Sequence, residues 1–369
     1  MGHLQIINLH HTRSITFQYI KDQYHNISPM NSVKRTFIFL IVLSSLFCCS
    51  DDPSSDSTLG NWTKTTPFKG RPRSGAAVFT IGTKAFVGLG FDGDDYLSDF
   101  YVLDINSGFW EAKQNFPGVR RERAIAFSIN GKGYVGLGYN RDEEKEELGD
   151  FWEYNPDTNT WTQIADFGGT ARYNSIGFAI GSKGYVGTGY DGDEYNSDFW
   201  QYDPSTNTWQ EIQSYPGEKI EGGLAMVVNN KAYICAGRNN GLFNLDFWEF
   251  DPSGEQIVWT KRSPDDDASD YDEFKAAVQR YDGTSFTIGE KVYVTGGTAA
   301  SGSTSNAVYE FDATTFLWDT KTSFEGSARS LAVAYVLNGR AFLGTGGNGS
   351  SRFDDIWEFK PNEEYDENY

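Results

Sequence analysis

One unit of about fifty residues recurs six times along this chain, and it constrains the fold more than any other feature. In the third copy Phe178 is followed by Gly189, Trp200 and Trp209 at intervals of eleven, eleven and nine residues. The other copies carry the same landmarks at Phe79, Gly90, Tyr101 and Trp110; Phe127, Gly138, Trp152 and Trp161; Met226, Gly237, Trp248 and Trp259; Phe286, Gly297, Tyr309 and Trp318; and Tyr335, Gly346 and Trp357. Such a period indicates similar sheet units that bury their apolar faces against one another.

Each copy predicts four short strands. In the third copy these are residues 178–180, 184–187, 199–202 and a last strand at Trp209. Tight hairpins join the first and second strands, as at Asn130-Gly131 and Asn338-Gly339, because asparagine and glycine accept the backbone of two-residue turns. The sequence therefore predicts an all-β protein, a six-bladed β-propeller.

The two ends of the repeat region predict how the ring closes. The sixth copy ends at Trp357-Glu358-Phe359 and lacks a fourth strand of its own. Trp62 precedes Arg73 by eleven residues, the interval that also separates Trp110 from Arg121. We therefore expect residues 61–65 to form an N-terminal strand that completes the last blade, which leaves only short, protected sheet edges.

The glycine-rich second strand, the aromatic third strand and the spaced tryptophan of the fourth resemble the kelch repeat. The resemblance covers residues 61–361, with an acidic tail at 362–369. One departure is that the double glycine typical of the repeat occurs only at Gly296-Gly297 and Gly346-Gly347. The resemblance implies a kelch-type six-bladed propeller.

The N-terminal residues resemble a bacterial lipoprotein signal. Met30 opens a segment with Lys34-Arg35, an apolar run over 37–47 and then Cys48 and Cys49. We interpret 1–29 as a non-native upstream extension, with an unusually long leader as the alternative, and 30–48 as the signal peptide. Cys49 is the expected lipidation site and 49–60 an acidic flexible tether. Ser50-Asp51-Asp52 resembles the export signal of Bacteroidota surface lipoproteins, which implies a lipid-anchored protein of the outer membrane, exposed at the cell surface.

Composition narrows the function. The formal net charge of −20 disfavours nucleic acid and anionic membrane surfaces, so we expect membrane attachment only through the lipid, and a monomer. All four histidines lie within residues 1–29, which excludes histidine-based nucleophile systems and histidine-bound metals from the propeller. No cofactor is expected. The acidic loops at 92–96, 141–147 and 191–195 leave calcium binding open as an alternative.

An aromatic residue followed by Gly-x-x-Arg recurs between blades and predicts a set of arginines near one mouth of the central channel. Its members are Arg73, Arg121, Arg172 and Arg329, and Arg280 holds the same place in the fifth copy. Guanidinium groups bind carboxylate, sulfate or phosphate well. The alternative is structural: each arginine pairs with the aspartate that precedes a third strand, namely Asp99, Asp150, Asp198, Asp246 or Asp355.

Aromatic residues on the loops after the second strands are the other candidate binding residues. They are Tyr96, Tyr139, Tyr190, Tyr195 and Phe243, and such rings stack on sugars or on protein side chains. The longest loop, 263–279, is a further candidate for contact with a partner. We therefore expect a non-catalytic, surface-anchored module that binds a glycan or an extracellular or outer-membrane protein. The alternative is an enzyme that resembles bacterial kelch epimerases or mutarotases of sialic acid, with the arginines holding the sugar carboxylate.

Overall fold

The computed structural model describes residues 59–262 and 274–366. Within them the chain forms 27 β-strands, and a single helical turn spans 274–278. The strands of blades 1 to 3 are β2 (Ala77–Ile81), β3 (Lys84–Gly88), β4 (Phe100–Asp104), β5 (Phe109–Ala112); β6 (Ile125–Ile129), β7 (Lys132–Gly136), β8 (Phe151–Asn155), β9 (Thr160–Gln163); and β10 (Ile176–Ile180), β11 (Lys183–Gly187), β12 (Phe199–Asp203), β13 (Thr208–Ile212).

The main strands of blades 4 to 6 follow the same antiparallel order. Two small additional strand pairings occur after the second strand, one in blade 4 and one in blade 6. Their strands are β14 (Glu221–Val228), β15 (Lys231–Asn239), β16 (Leu242–Phe243), β17 (Trp248–Asp251), β18 (Val258–Lys261); β19 (Arg280–Ile288), β20 (Lys291–Ala299), β21 (Val308–Asp312), β22 (Trp318–Lys321); and β23 (Val333–Leu337), β24 (Arg340–Gly344), β25 (Gly347–Asn348), β26 (Ser351–Arg352), β27 (Ile356–Glu364). The prediction of an all-β, six-bladed propeller is confirmed.

The ring closes as predicted, through β1 (Leu59–Lys64). This strand pairs antiparallel with β27, so the last blade has the order β1-β27-β24-β23. Trp62 is fully buried between blades 5 and 6, and its indole Nε1 donates to the Thr322 carbonyl oxygen at 3.4 Å. Trp161 and Trp209 donate in the same way to the residues that end the preceding blade, at 3.0 and 3.1 Å. Trp62 therefore occupies a fourth-strand position although it comes from the front of the chain.

The edges of the propeller differ slightly from the predicted boundaries. Leu59 pairs with Glu364, so the last sheet extends into residues that the sequence analysis placed in the tether and in the acidic tail. There the backbone hydrogen bonds between β1 and β27 form the sheet despite the polar composition of both segments. The predicted segments 1–29 and 30–48, the lipidation site Cys49 and most of the tether lie outside the described residues.

A glycine in the second strand makes room for the third strand of its own blade. A Cβ atom at Gly187 would lie 2.0 Å from the ring of Phe199 and 2.5 Å from the Asp198 carbonyl oxygen. Gly88 and Gly136 stand in the same relation to Phe100 and Phe151. In blade 4 the buried Cys235 takes this place and packs there as a small hydrophobic residue.

Loops from two parts of each repeat meet at one face of the propeller, here called the loop face. Isolated bridges join the residue after an inter-blade arginine to the loop after the second strand, as between Ser74 and Phe91, Glu122 and Tyr139, and Tyr173 and Tyr190. The first strands run from this face along the channel, which is lined by small side chains such as Ala126, Ala179 and Ser285. Functional groups on the loop face therefore surround the channel mouth.

Candidate functional site

The inter-blade arginines are buried in a repeated ion-pair arrangement. Arg121 is fully buried, and its Nη1 and Nη2 atoms donate to the two carboxylate oxygens of Asp150 at 2.6 and 2.8 Å. Its Nε and Nη1 also donate to the carbonyl oxygens of Val119 and Leu137, and the guanidinium lies over Phe116. Arg73, Arg172 and Arg329 repeat this arrangement with Asp99, Asp198 and Asp355.

The arrangement explains the whole aromatic-Gly-x-x-Arg motif. A Cβ atom at Gly118 would lie 2.7 Å from the Phe116 ring and 3.0 Å from Trp152 Nε1, so only glycine lets the chain pass. Trp152 Nε1 donates to Asp150 at 2.7 Å and fixes the carboxylate from its other side. The motif thus builds a buried, hydrogen-bonded pair, which is the structural alternative of the sequence analysis.

Blades 4 and 5 depart from this pattern. Arg280 is buried and donates to the carbonyl oxygens of Gly296 and Ala276, but within 59–262 and 274–366 no carboxylate pairs with it. Burial lowers its pKa to about 10. In blade 4 Ile220 replaces the arginine, Asn244 donates to the Ala236 carbonyl oxygen instead, and Asp246 pairs with Lys261.

The sequence analysis placed these five arginines at the channel mouth, whereas the structure places their side chains inside the blades, at most 1% exposed. A ligand would have to bring the guanidinium to the surface and, at every site except Arg280, displace a carboxylate. Anion binding by Arg73, Arg121, Arg172, Arg280 and Arg329 stays a prediction, and the geometry supports their structural role.

The channel mouth itself is formed by the residue two positions after each arginine site. These six residues all have left-handed backbone angles, with φ between 52° and 63°: Gly75, Arg123, Asn174, Gly222, Asp282 and Leu331. Backbone hydrogen bonds link neighbours around the ring, as from Arg123 N to Gly75 O at 2.9 Å and from Leu331 N to Asp282 O at 2.9 Å. Left-handed geometry strains an arginine or a leucine, and such strain concentrates at functional sites.

Three of these residues begin a polar network, here called the channel-mouth network: Asp282, Arg123, Asn174, Glu221 and Arg238. Arg123 Nη1 donates to Asp282 Oδ2 at 2.9 Å and to Asn174 Oδ1 at 2.8 Å. Asn174 Nδ2 donates to Glu221 Oε2 at 2.9 Å, and Arg238 Nε donates to Glu221 Oε1 at 3.0 Å. The network therefore runs through blades 2, 3, 4 and 5.

Asp282 Oδ1 is the atom in this network that lacks a partner. The side chain is only 7% exposed, and Oδ1 accepts no hydrogen bond from the described residues. Asp282 lines a cavity of about 170 Å³ together with Arg123, Asn174 and the small residues Ala76, Ser175 and Ala332. A buried carboxylate oxygen beside an open cavity is a place where a hydrogen-bond donor is missing.

Burial and neighbouring charges together set the pKa values at the channel mouth. It raises the pKa of Asp282 and of Glu122 despite the nearby charge of Arg123. Burial alone would lower the pKa of Arg123, but the charges of Asp282 and Glu122 outweigh it and raise that pKa. The mouth thus holds acids that take up a proton more readily than exposed ones, beside a permanent cation.

The predicted tyrosines lie together beside the mouth, in a run of rings here called the aromatic arc. Its members, in spatial order with centroid separations of 4.9 to 6.4 Å, are Phe91, Tyr96, Tyr139, Tyr173, Tyr190 and Tyr195. Tyr96 is buried, and its hydroxyl accepts from the Arg141 backbone nitrogen. Tyr139 donates to Glu146 and Tyr190 to the Gly192 carbonyl oxygen, so these rings are held in place.

The arc ends at a second pocket on the loop face. Tyr190 and Tyr195 line it, with Glu194, Lys219 and Asn239 among the polar residues around it, and its volume is about 270 Å³. In the following blade Phe243 packs near Tyr281, over which the guanidinium of Arg238 lies at 3.7 Å. Residues 263–273 of the long loop lie outside the described residues, whereas Phe274 is buried in the core.

The sequence analysis missed the channel-mouth network. Three of its members, Arg123, Asn174 and Asp282, occupy a ring position that reads Gly, Arg, Asn, Gly, Asp and Leu in the six copies. A position that varies so widely within a regular repeat, two residues after a recurring arginine, was the available signal. Tyr173, whose ring lies between those of Tyr139 and Tyr190, was also missed. It follows Arg172 directly, and that position likewise varies among the six copies.

Comparisons with known proteins agree with the fold. Residues 189–214 match the family model described as the kelch motif. The chain carries a kelch motif. No curated protein matches the chain. The solved structure titled "Structure of YjhT" superposes with a TM-score of 0.67 at 18% identity, covering 79% of this chain and 95% of that one. At that identity the likeness shows a shared fold.

Residues 59–262 and 274–366 contain no group of three or more histidine, cysteine, aspartate or glutamate side chains placed to hold a metal ion. Over the same ranges no helix has the length and apolar character needed to span a membrane.

Proposed function

We propose that this protein is a non-catalytic binding module whose loop face takes a glycan. The observation that carries the proposal is the aromatic arc, which joins a polar pocket at Tyr195 to the polar channel mouth at Arg123. Ring faces stack on the apolar faces of sugars, while the carboxylates, amides and guanidinium groups beside them suit sugar hydroxyls. Half-buried rings held by hydrogen bonds also lose little freedom on binding.

A glycan suits this face better than a protein partner because the apolar surface is narrow and interrupted by charge. Protein interfaces centre on apolar contacts with a depletion of charge at their core, whereas Glu194, Lys219 and Glu146 stand directly beside the arc. A protein partner is the alternative outcome of the binding experiment.

A glycan array followed by calorimetric titration of the strongest ligand tests the proposal. Tyr195→Ala should weaken binding about tenfold, because an aromatic anchor contributes at least 1 kcal/mol. Phe109→Ala is the matched control: Phe109 is 74% exposed on the outermost strand of blade 1 and should leave binding unchanged. Equal effects of the two changes would contradict the proposal.

We further propose that the module is held at the outer face of the outer membrane by a lipid on Cys49. The support is the sequence pattern of an apolar run ending in Leu46-Phe47-Cys48-Cys49, followed by acidic residues. Labelled palmitate should be incorporated by the wild-type chain in its host and not by Cys49→Ser. Protease treatment of intact cells should then release the propeller.

The alternative function is a sugar epimerase or mutarotase, and one observation favours it. Burial raises the pKa of Glu122 and of Asp282 at the channel mouth, and a carboxyl group with a raised pKa can exchange a proton closer to neutral pH. NMR of the anomers of N-acetylneuraminic acid tests it. Faster exchange with the protein, lost in Glu122→Gln, would replace the non-catalytic proposal.

A further inference from the structure

The cavity at the channel mouth has a donor-acceptor pattern that selects the chemistry of its ligand. Asp282 Oδ1 accepts nothing from the described residues, although Asp282 Oδ2 accepts from Arg123. Leaving a buried carboxylate oxygen unpaired costs free energy. A ligand that brings a donor to Oδ1 recovers this free energy, so the empty position favours ligands with N–H or O–H groups.

The cavity admits only the end of a ligand. Its volume is about 170 Å³, below the roughly 300–1,000 Å³ of pockets that enclose a whole small molecule. A Cβ atom at Gly222 would lie 2.7 Å from Asp282 Oδ1, so the absence of a side chain there keeps the space beside the oxygen open. The rest of the ligand must lie outside, towards Tyr173 and the aromatic arc.

Charge decides between the possible donors. Asp282, Glu122 and Glu221 place three carboxylates around the mouth, where a ligand carboxylate would meet like charges. The cations Arg123 and Arg238 lie between these carboxylates, so a ligand ammonium would also meet like charges. A hydroxyl carries no net charge and both donates and accepts, which matches a site where acceptors and cationic donors alternate.

We propose that the channel mouth binds a neutral, hydroxyl-bearing edge of a terminal sugar, with a hydroxyl donating to Asp282 Oδ1. This inference rests on the proposed glycan-binding function and assigns its specificity. The terminal sugar enters the cavity, and the following residues of the glycan lie over the aromatic arc towards Tyr195.

The probes are glucose, galactose, mannose, glucosamine and N-acetylneuraminic acid, each titrated against the full chain and followed by saturation-transfer NMR. The neutral hexoses should compete for one site, and at least one should bind better than the amine and the acid. Asp282→Asn should weaken that hexose about tenfold or more, the usual effect of losing a hydrogen bond to a charged group. Asp246→Asn is the matched control, because Asp246 pairs with Lys261 outside the cavity.

A second variant guards against loss of folding in Asp282→Asn. Ala332→Leu narrows the cavity and changes no charged group, so it should abolish hexose binding at the mouth. Preference for N-acetylneuraminic acid or glucosamine, or unchanged hexose binding in folded Asp282→Asn or Ala332→Leu, overturns the inference. If those variants bind normally while Tyr195→Ala does not, glycan binding stands and only the assignment of a sugar hydroxyl to the channel mouth is wrong. If no sugar binds, both are wrong.

Discussion

The guanidinium of Arg123 lies 2.9 Å from the carboxylate of Asp282, and this one ion pair crosses the central channel from blade 2 to blade 5. The two blades stand three places apart in a ring of six, so the pair joins opposite sides of the propeller. Both residues line the small cavity at the channel mouth.

Loss of Arg123 should destabilise the fold because it would strand the charge of Asp282. Breaking a buried pair from one side costs about 3–5 kcal/mol, so Arg123→Met should lower the free energy of unfolding in urea by about that amount. Arg141→Met is the control, since Arg141 is 60% exposed and should change stability by about 0.5 kcal/mol or less. A cost for Arg123→Met no larger than for the control would contradict a stabilising role for the pair.

Two buried arginines should differ sharply when replaced by methionine. Arg121→Met leaves Asp150 without its cation and should cost about 3–5 kcal/mol. Arg280→Met leaves no carboxylate stranded among the described residues and should cost less, because Arg280 donates only to carbonyl oxygens there. Urea unfolding of the two variants measures the difference. Equal costs would mean that the ion pair adds nothing beyond the packing of the side chain.

The ion pair of Asp150 should make stability depend on pH in the acid range. Burial alone would raise the pKa of Asp150, but hydrogen bonds from Arg121 and Trp152 lower it below its ordinary value. The pair therefore stabilises the fold above about pH 4, the pKa of aspartate in an unfolded chain, and its contribution is lost as the pH falls through the folded pKa. The wild type should exceed Asp150→Asn in unfolding free energy at neutral pH, and the gap should shrink on acidification. A constant gap would exclude this linkage.

Ring closure should depend on Trp62. The side chain is fully buried and its ring lies within 4.9 Å of Phe324 and 4.6 Å of Phe359. Trp62→Phe keeps an aromatic ring and should cost less than Trp62→Ala, which should lower the free energy of unfolding by about 3–5 kcal/mol. Hydrogen exchange of β27 in Trp62→Ala should be faster than in the wild type, because its pairing with β1 weakens. Unchanged exchange there would contradict closure through this residue.

The fold could be predicted from the sequence because the strand pattern of one blade recurs six times. The missing fourth strand of the sixth copy and the interval from Trp62 to Arg73 placed Trp62 in the last blade. The repeat also predicted four short strands in each blade, and these pair in chain order in blades 1 to 5. The motif around Arg121 was also recognisable in the sequence. Its role depends on the burial of the arginine side chain, which residue types and their spacing do not show. Asp150, which pairs with Arg121 in the structure, is the partner that the structural alternative predicted.

The channel mouth was harder to predict because its contacts join residues far apart in the chain. Arg123 and Asp282 are separated by 159 positions, and neither belongs to a motif. Only ring closure brings the six left-handed residues together, and only there does Asp282 become buried. The four predicted tyrosines were recognised from their loops, whereas the order of the aromatic arc depends on the angle between neighbouring blades.

The central claim is that the loop face binds a glycan, and hydrogen–deuterium exchange with and without the strongest ligand from the array tests it most directly. Exchange should slow at residues 91–97, 139–147 and 190–196, which carry the aromatic arc, and should stay unchanged in the hairpins Asn130-Gly131, Asn229-Asn230 and Asn338-Gly339 at the other end of the first strands. Protection confined to those hairpins or to the outermost strands would contradict the account.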